Sequence, residues 1–247
     1  MTWDPDQYDR FERERAQPFF DLLSRIPEDH VRAAADLGCG TGQLTRHLLS
    51  KWPQAEIWGV DDSKEMLERA RSGEPEPRLV FVEDDLAHWR SPCLLDCILS
   101  NAALHWIPDH ARLLAHLAAQ LSPGGVLAVQ IPNNRDEPAF RLLAELAADS
   151  LQYTVETSEW YLERLAALGL EAQVWETIYY HMLPDADAIL EWLKGAALRP
   201  VLSKLDAGAT EVLLSRLGEG IADLYPVGKR GVVFPFRRLF FTARRPA

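Results

Sequence analysis

The sequence has 247 residues, of which 47% are hydrophobic, and its 26 basic and 37 acidic residues give a formal net charge of −11. This length fits one large α/β domain, or one domain that carries a substantial insertion. The acidic balance disfavours nucleic acid and anionic membranes as partners, because no basic stripe offsets it locally. A small anionic substrate remains compatible with it, since a few buried Arg or Lys residues can set a local positive field.

The N-terminal region lacks the apolar centre of a signal peptide, and no segment approaches the roughly 18 unbroken apolar residues of a membrane span. The cysteines are Cys39, Cys93 and Cys97, and no set of Cys and His residues completes a four-ligand metal site around them. We therefore expect reduced thiols, no bound metal and a cytoplasmic protein. The expected assembly is a monomer or a small homo-oligomer.

The first half of the chain predicts strands that alternate with helices. Short buried-type apolar runs predict strands, and segments with a 3.6-residue apolar period predict helices between them. The strands are predicted at residues 33–36, 57–60, 79–82, 95–99 and 126–131, and the helices at residues 43–51, 64–71 and 109–121. A Ser-Pro-Gly-Gly turn at residues 122–125 is predicted to follow the last of these helices. The alternation predicts βαβ units in a parallel sheet, which binds ligands at the carboxyl ends of its strands.

The second half is less regular. It predicts a helix at residues 158–168, a strand at 172–180, helices at 185–194 and about 210–224, and a final strand at 232–244. Pro235 restricts the final strand to an edge position or a bulge. We interpret the chain as a single domain, residues 1–247, with an N-terminal helical segment at about 1–30. The two helices before the final strand predict a cap over the site, inserted at about residues 184–228.

The most informative motif is the glycine-rich loop at residues 36–42, Asp-Leu-Gly-Cys-Gly-Thr-Gly, between the first strand and the first helix of the sheet. Glycines let a backbone turn tightly and approach a ligand closely, and the helix that follows presents free N–H groups. A glycine-rich turn without a ligand is the alternative. The strand before the loop, the helix after it and the alternate glycines favour a nucleotide site.

The acidic residues around the loop bear on which nucleotide binds. The third glycine comes one position too early for the G-x-G-x-x-G dinucleotide fingerprint. Asp36 precedes the first glycine, Gly38, by two positions. A carboxylate there would repel a pyrophosphate but would suit an ammonium group, such as the methionine amine of S-adenosylmethionine. Asp61, at the end of the second strand, suits ribose hydroxyls in either class of cofactor.

Two further strand ends carry polar groups. Asp85 follows the third strand and could accept a hydrogen bond from an adenine amino group, with apolar Leu86 beside it. Asn101 ends the fourth strand, where it would lie under the methionine moiety. Each could instead belong to a solvated loop. For Asp84, which directly precedes Asp85, a ligand group and a solvated loop residue both stay open. Together they predict a row of ligand groups along one edge of the sheet.

The loop glycines Gly38, Gly40 and Gly42, with the acidic and polar residues named above, resemble those of class I S-adenosylmethionine-dependent methyltransferases. Nearly the whole chain further resembles bacterial trans-aconitate 2-methyltransferases. The motifs specific to that family lie near the N-terminus, at Trp3, Tyr8, residues 11–15 and Pro18, and in the cap, at Glu191, Trp192 and residues 198–200. Residues 106–110 and 124–130 also resemble the family, and residues 234–240 resemble its last strand imperfectly. The resemblance implies a doubly wound, mostly parallel seven-stranded sheet of the Rossmann-like type, with a helical cap inserted before the last strand.

The resemblance also implies S-adenosylmethionine as cofactor and a small carboxylate as methyl acceptor, with trans-aconitate the leading candidate and a methyl ester the product. Two departures lie on the presumed substrate side. His105 stands where the family pattern has glutamine, and residues 149–159 lack the family's Gly- and Arg-rich character. A carboxylic acid is already ionised at neutral pH, so the reaction needs no general base.

Several residues are predicted to serve the substrate. Arg199, at the end of the helix that contains Trp192, is the first candidate, because a guanidinium matches a carboxylate in two hydrogen bonds. Tyr180 and His181 end a strand near the same site, although strand-end packing would also explain them. His105 is a further candidate for the catalytic group.

Two N-terminal residues are predicted to serve the cofactor. Tyr8 and Arg15 could fold over the cofactor carboxylate, with ordinary surface positions as the alternative. Three other functions remain open at this point. One is a methyltransferase for another small oxygen or nitrogen acceptor, with His105 as base. The others are an NAD-dependent oxidoreductase and a non-catalytic nucleoside-binding module on the same fold.

Overall fold

The computed structural model describes residues 12–26, 31–147, 153–195 and 197–247, with side chains from residue 16 onward. A seven-stranded sheet forms its centre, with strand order β3-β2-β1-β4-β5-β7-β6. Neighbouring strands are parallel except that β7 runs antiparallel to both β5 and β6. The strands are β1 Ala33–Leu37, β2 Glu56–Asp61, β3 Leu79–Glu83, β4 Leu95–Asn101, β5 Leu121–Pro132, β6 Glu171–Leu183 and β7 Val232–Arg244. This topology confirms the predicted doubly wound, mostly parallel sheet.

Helices connect and cover the strands. They are α1 Glu12–Leu23, α2 Gln43–Lys51, α3 Lys64–Arg71, α4 His110–Ala118, α5 Pro138–Ala147, α6 Ser158–Ala167, α7 Ala186–Lys194, α8 Arg199–Leu202 and α9 Ala207–Leu224, with a 3₁₀ turn at Leu104–Trp106. Several begin at a side-chain cap, as α3 does at Ser63 and α4 at Asp109, because such a cap satisfies an N–H that lacks a helical partner. The predicted bounds of α2 and α3 match the structure.

The region around residue 121 differs from the prediction. Helix α4 ends at Ala118, and residues 122–125 belong to β5. They form an irregularity in the strand, because Leu121 pairs with Leu95 whereas Val126 already pairs with Cys97. The prediction of a turn after a longer helix was therefore wrong. The Ser-Pro-Gly-Gly sequence forms a bulge in the strand instead. Glycine is common in bulges, because a bulge often contains a residue at positive φ.

Both faces of the sheet are covered by apolar side chains. On one face, Phe19 and Leu22 of α1 pack with Leu48 of α2 against residues such as Leu99 and Ala128. The opposite face packs against α4 and α6, through residues that include Leu113, Leu117, Tyr161, Leu165, Leu127, Val129 and Phe241. Period-2 alternation along β4 and β5 therefore fills two cores, as expected for a sheet buried on both sides.

A third apolar cluster joins the helices between β6 and β7. Phe234 packs with Trp192 of α7, with Leu198 before α8 and with Leu217 of α9. Residues of α5, a helix that the sequence did not predict, join the same cluster. The insertion contains α7, the short α8 and α9, rather than two helices. No described helix combines the length and apolar character needed to cross a bilayer.

Pro235 occupies a position in β7 that has a partner strand on one side only. It pairs with Tyr180 of β6, whereas the pairing of β7 with β5 begins at Arg238. Proline has no N–H to donate, so a position without a second neighbouring strand tolerates it. The predicted edge-like position is confirmed at this residue, although β7 as a whole is internal to the sheet.

Candidate active site

The glycine loop turns between β1 and α2 with three glycines at positive φ. The φ angles are 80° at Gly38, 53° at Gly40 and 71° at Gly42, a region that side chains rarely adopt. A Cβ at Gly38 would lie 2.1 Å from that of Ala103, and a Cβ at Gly42 would lie 2.4 Å from the Phe81 ring. A Cβ at Gly40 would meet nothing within 4 Å. Close packing thus requires Gly38 and Gly42, while Gly40 borders open space.

Asp61 at the end of β2 is attached to this loop. Its Oδ2 accepts a 2.8 Å hydrogen bond from Gly40 N, and its Oδ1 accepts one of 3.0 Å from Ser63 N. Burial raises the pKa of Asp61, and the N–H donors of Ser63 and Gly40 oppose that shift. The carboxylate is thereby held in one orientation at the edge of the sheet, with the loop on one side and α3 on the other.

Asp36 lies at the bottom of the site and is only 3% exposed. Its Oδ2 accepts a 2.6 Å hydrogen bond from the Thr45 hydroxyl in α2. Burial raises the pKa of Asp36 to about 7; the hydrogen bond from Thr45 lowers it, and the charge of Asp61 raises it. A buried carboxylate without a cation favours its neutral form, so a ligand cation placed beside it would stabilise the charged form.

Asp85 follows β3 and is exposed. Its Oδ1 accepts a hydrogen bond of 2.8 Å from Ala87 N, and its Oδ2 lies 2.7 Å from Nδ1 of His88. The Ala87 hydrogen bond, and then His88, lower the pKa of the carboxyl group. Leu86 is half-buried beside it and packs against the main core. The pair offers one acceptor and one apolar surface at the end of the row.

Asn101 ends β4 with an unusual local structure. Its Oδ1 is buried and has no hydrogen-bond partner in the structure. The next residue, Ala102, has a φ of 56° and donates its N–H to Gln130 O at 3.0 Å. Backbone strain and unsatisfied polar atoms both cost free energy, and both concentrate at functional sites. They indicate that a ligand group completes this strand end.

One cavity of about 900 Å³ joins these groups, at the upper end of the roughly 300–1,000 Å³ that ligand pockets span. Its wall includes Asp36, Gly38, Gly40, Asp61, Asp85, Leu86, Asn101, Arg112, Arg199 and Phe19. Carboxylates line the side formed by β1, β2 and β3, whereas the two arginines come from α4 and α8. The pocket therefore offers acceptors to a polar cofactor and positive charge to an anion.

Arg199 reaches the pocket from the insertion between β6 and β7. It opens α8, whereas the helix that contains Trp192 ends at Lys194, so the predicted position at the end of that helix was wrong. Arg199 is half-buried, and the adjacent Pro200 also lines the cavity. The structure therefore brings a cationic side chain from the second half of the chain to the cofactor groups of the first half.

Other predicted residues do not lie on the described pocket wall. Tyr180 is 69% exposed on β6, and His181 stacks on Trp192 with 5.0 Å between ring centroids. His105 is 7% exposed and its ring lies 4.4 Å from that of Trp106. Burial, followed by the charges of Arg238 and His110, lowers the pKa of His105 to about 3. Tyr8 and the side chain of Arg15 lie outside the described residues.

Sequence reasoning missed other residues of the pocket. Thr45 anchors Asp36, and its signal is only a hydroxyl on the inner face of α2. Arg112 borders the cavity from α4, and Ala16 and Phe19 border it from α1. The ends of strands can be predicted from a sequence, whereas the side chains that reach a site from a packed helix depend on the tertiary arrangement.

The hydrogen-bond acceptors on this wall fit S-adenosylmethionine. The carboxylate of Asp36 suits an ammonium group, Asp61 suits ribose hydroxyls, and Asp85 with Leu86 suits a base. The unsatisfied Oδ1 of Asn101 indicates a ligand group that donates a hydrogen bond, and the open space at Gly40 leaves room for a ligand beside the loop. A pyrophosphate in the same place would face the carboxylate of Asp36.

Comparisons with known proteins identify the family of the chain. A family described as methyltransferase domain matches residues 34–125. The chain is 44% identical to the trans-aconitate 2-methyltransferase of Streptomyces avermitilis, over 100% of this chain and 98% of that protein. It is 39% identical to the trans-aconitate 2-methyltransferase of Shigella dysenteriae, over 98% of each chain.

Solved structures share the fold at lower identity. A putative methyltransferase from Bacillus halodurans has a TM-score of 0.60 at 17% identity, covering 92% of this chain and 98% of that one. An S-adenosylmethionine-dependent methyltransferase from Mesorhizobium loti has a TM-score of 0.56 at 23% identity, covering 94% and 98%. These structures support the fold alone, whereas the full-length relatives establish the family. The chain belongs to the trans-aconitate 2-methyltransferase family.

Proposed function

We propose that this protein transfers a methyl group from S-adenosylmethionine to a carboxylate of trans-aconitate and forms a methyl ester. Full-length relatives at 39–44% identity carry that name. A small anionic acceptor also agrees with the net charge of −11, which disfavours nucleic acid. The proposal includes a cytoplasmic monomer or small homo-oligomer, in which all three cysteines are free thiols as the structure has them.

The observation that carries the proposal is one pocket whose wall combines residues predicted to bind the cofactor with residues of the cap. Asp36, Asp61 and Asn101 reach it from three strand ends, and Arg199 reaches it from α8. A cofactor site alone would not require a cation from the insertion. An enzyme for a tricarboxylate would require one, because the substrate's negative charges lose hydration on entry.

The chemistry asks for alignment rather than acid–base catalysis. When bound, S-adenosylmethionine supplies a methyl group on a positively charged sulfur, and a carboxylate can accept it without losing a proton. The residues of the chain bind the two reactants side by side and exclude water. Proximity of this kind can be worth about 7–11 kcal/mol.

A phenol or amine acceptor would need a base, and His105 is poorly placed for that role. Its ring is buried between Trp106 and Tyr153, and its pKa of about 3 makes it a weak proton acceptor. The efficiency of a general base is greatest when its pKa lies near the working pH. The structure therefore favours a carboxylate over these other acceptors.

Calorimetry and mass spectrometry together test the proposal. We expect the purified protein to bind S-adenosylhomocysteine, and to form a methyl ester when it is given S-adenosylmethionine and trans-aconitate. The acceptor panel should include dicarboxylates, a phenol and a primary amine. Methylation of the phenol or amine alone would contradict the proposed acceptor, and failure to bind the cofactor product would contradict the proposed cofactor.

A further inference from the structure

Three polar side chains form a row on one face of the sheet, where β4 and β5 end. Asn101 of β4 pairs with Gln130 of β5. Arg238 of β7 pairs with Pro132, two residues beyond Gln130. Paired residues, and residues two apart in one strand, point to the same face of a sheet. Gln130 therefore lies next to Asn101 on one side and diagonally next to Arg238 on the other.

The middle of this row is buried and unsatisfied. Gln130 is 0% exposed, and neither its Oε1 nor its Nε2 has a hydrogen-bond partner in the structure. Oδ1 of Asn101 is in the same condition. Buried polar atoms are almost always hydrogen-bonded, and an unpaired amide in an apolar surrounding is costly. A leucine would pack at position 130 without that cost, so the amide indicates a bound polar group.

The far end of the row carries a positive charge. Arg238 is 5% exposed, and its guanidinium carbon lies 4.2 Å from the centroid of the Phe236 ring. A guanidinium stacked on an aromatic ring directs its N–H groups sideways, in the plane that suits a carboxylate. The charge of Arg238 also contributes to the lowered pKa of His105, so the positive field of Arg238 reaches the residues that follow β4.

The row begins at the wall of the cofactor pocket. Asn101 lines that pocket, as do Ala16 and Phe19 of α1. Helix α1 packs over the same face of the sheet, where Phe19 joins the cluster that includes Phe240, the pairing partner of Gln130. Gln130 and Arg238 thus continue from the pocket wall into the interior beneath α1.

We propose that Gln130 and Arg238, in the row that begins at Asn101, form a buried subsite for a carboxylate of the acceptor other than the one that is methylated. The subsite rests on the proposed function and assigns part of the substrate recognition to the sheet. Gln130 would donate an amide N–H, and Arg238 would supply the charge that offsets the loss of hydration. Arg199, which reaches the pocket from α8, would then hold a different carboxylate.

Gln130 allows a sharp test, because it can be replaced without a change of size. The complex with S-adenosylhomocysteine would be titrated calorimetrically with trans-aconitate in the wild type, Gln130→Met and Gln130→Glu. We expect about tenfold weaker binding for Gln130→Met, and at least a hundredfold weaker binding for Gln130→Glu, whose added carboxylate would repel the ligand. Affinity for S-adenosylhomocysteine should stay within about twofold in both variants.

Gln120 provides the matched control. It is also a buried glutamine, but its amide is satisfied by Ser91 N and Trp89 O, and it does not line the described pocket. Gln120→Met should lower the melting temperature and leave trans-aconitate binding unchanged. Gln130→Met should do the opposite, with a melting temperature that is unchanged or higher, because no protein hydrogen bond is lost.

Shorter acceptors identify which carboxylate is held. Mesaconate, cis-glutaconate and itaconate each lack one of the three carboxylates of trans-aconitate and keep the arrangement of the other two. For the analogue that lacks the carboxylate bound here, Arg238→Lys and Gln130→Met should bind as well as the wild type. For the others, both variants should bind more weakly than the wild type.

The outcomes separate this subsite from the proposed function. If the wild type binds and methylates trans-aconitate while Gln130→Met and Gln130→Glu bind it equally well, the subsite is overturned and the function stands. If the wild-type complex binds none of the four acids, both are overturned. Loss of binding in Gln130→Met that follows a loss of melting temperature, as in Gln120→Met, would also overturn the subsite, since the effect would then be structural.

Discussion

The hydroxyl of Thr45 donates a 2.6 Å hydrogen bond to Oδ2 of Asp36 and holds that carboxyl group at the bottom of the cofactor pocket. The hydrogen bond lowers the pKa of Asp36, but burial outweighs it, so that the pKa lies at about 7. A single buried group thereby titrates close to neutrality within the site. Two consequences for binding and stability can be measured.

Cofactor affinity should depend on the protonation of Asp36. Only the charged carboxylate attracts the ammonium group of the ligand, so binding should weaken as pH falls through about 7. With a single group of that pKa, the Kd for S-adenosylhomocysteine should be about tenfold higher at pH 6 than at pH 8. Asp36→Asn should bind more weakly at pH 8 and should lose most of this pH dependence. Calorimetric titrations at four pH values would check both, and a steep pH dependence that persists in the variant would assign it to another group.

The stability of the ligand-free protein should show the opposite preference. The pKa of Asp36 is higher in the folded state, about 7, than in an unfolded chain, about 3.9. The folded state therefore holds the extra proton between these values, and this contribution to stability is lost as pH rises through about 7. Relative to Asp36→Asn, the wild type should lose up to ~1.4 kcal/mol of unfolding free energy per pH unit in that window. Urea unfolding of both proteins at pH 5, 6.5 and 8 would measure the difference; a constant difference would mean that Asp36 has an ordinary pKa.

Asp61 should contribute to cofactor binding through direct hydrogen bonds. Asp61→Ala should cost about 1.5–3 kcal/mol of affinity for S-adenosylhomocysteine, the range for a hydrogen bond to a charged group. Glu83 is the matched control, because it pairs with Asp61 on the neighbouring strand but does not line the described pocket. Glu83→Ala should leave the affinity within about twofold. Equal affinities for all three proteins would remove Asp61 from the ribose site.

More of the residues predicted to bind the cofactor than of those predicted to serve the substrate line the pocket of the structure. Asp36, Asp61 and Asn101 are recognisable because each follows a strand, and parallel strands bring their ends to one edge. The substrate side depends on segments that are distant in sequence, such as α8, which lines the same pocket as the glycine loop. Gln130 shows the limit clearly, since it lies inside an apolar strand and only the structure reveals that its amide has no partner.

The fold shows a similar division. Helices α2 and α3 have strong apolar periodicity between caps and glycines, and their predicted bounds agree with the structure. Helix α5 was missed, although Pro138 marks its start and Phe140 and Leu143 face the cap cluster. The proline and glycines after Leu121 predicted a turn. Leu121 and Val126 on either side of them pair with β4, and Gly124 and Gly125 exchange backbone hydrogen bonds with Arg245, so the segment stays within β5. Tertiary pairing can override such local signals.

His105 should not act as a general base. His105→Gln replaces the buried ring with the residue that the family pattern has there, and kcat/KM for trans-aconitate at pH 7.5 should stay within about threefold. Removal of a general base would lower kcat/KM about a hundredfold or more.

His105 should also affect how stability depends on pH. The pKa of its ring is about 3, below the value of about 6.5 in an unfolded chain. The stability from this group is therefore full above pH 6.5 and is lost as pH falls toward 3. Urea unfolding at pH 7.5 and 5 should show that His105→Gln loses less stability on acidification than the wild type.

Arg199 should separate substrate binding from cofactor binding. It lines the pocket from α8, whereas the predicted cofactor groups that line the same pocket lie between Asp36 and Asn101. Arg199→Ala would leave a substrate carboxylate without its partner, at a cost of roughly 2–5 kcal/mol in kcat/KM. Arg199→Lys should recover part of the loss, because a point charge cannot reproduce the two-point contact of a guanidinium. Affinity for S-adenosylhomocysteine should remain that of the wild type in both variants.

The control for this prediction is Arg216→Ala, which removes an exposed arginine from α9 in the same insertion. It matches Arg199→Ala in the change of net charge, so it accounts for any general effect of charge on an anionic substrate. Steady-state kinetics with trans-aconitate and titrations of the cofactor product on the four proteins would decide. A kcat/KM for Arg199→Ala within about threefold of that for Arg216→Ala would assign Arg199 to the surface of the cap. Arg112, the other arginine on the described part of the pocket wall, would then be the next candidate to hold that carboxylate.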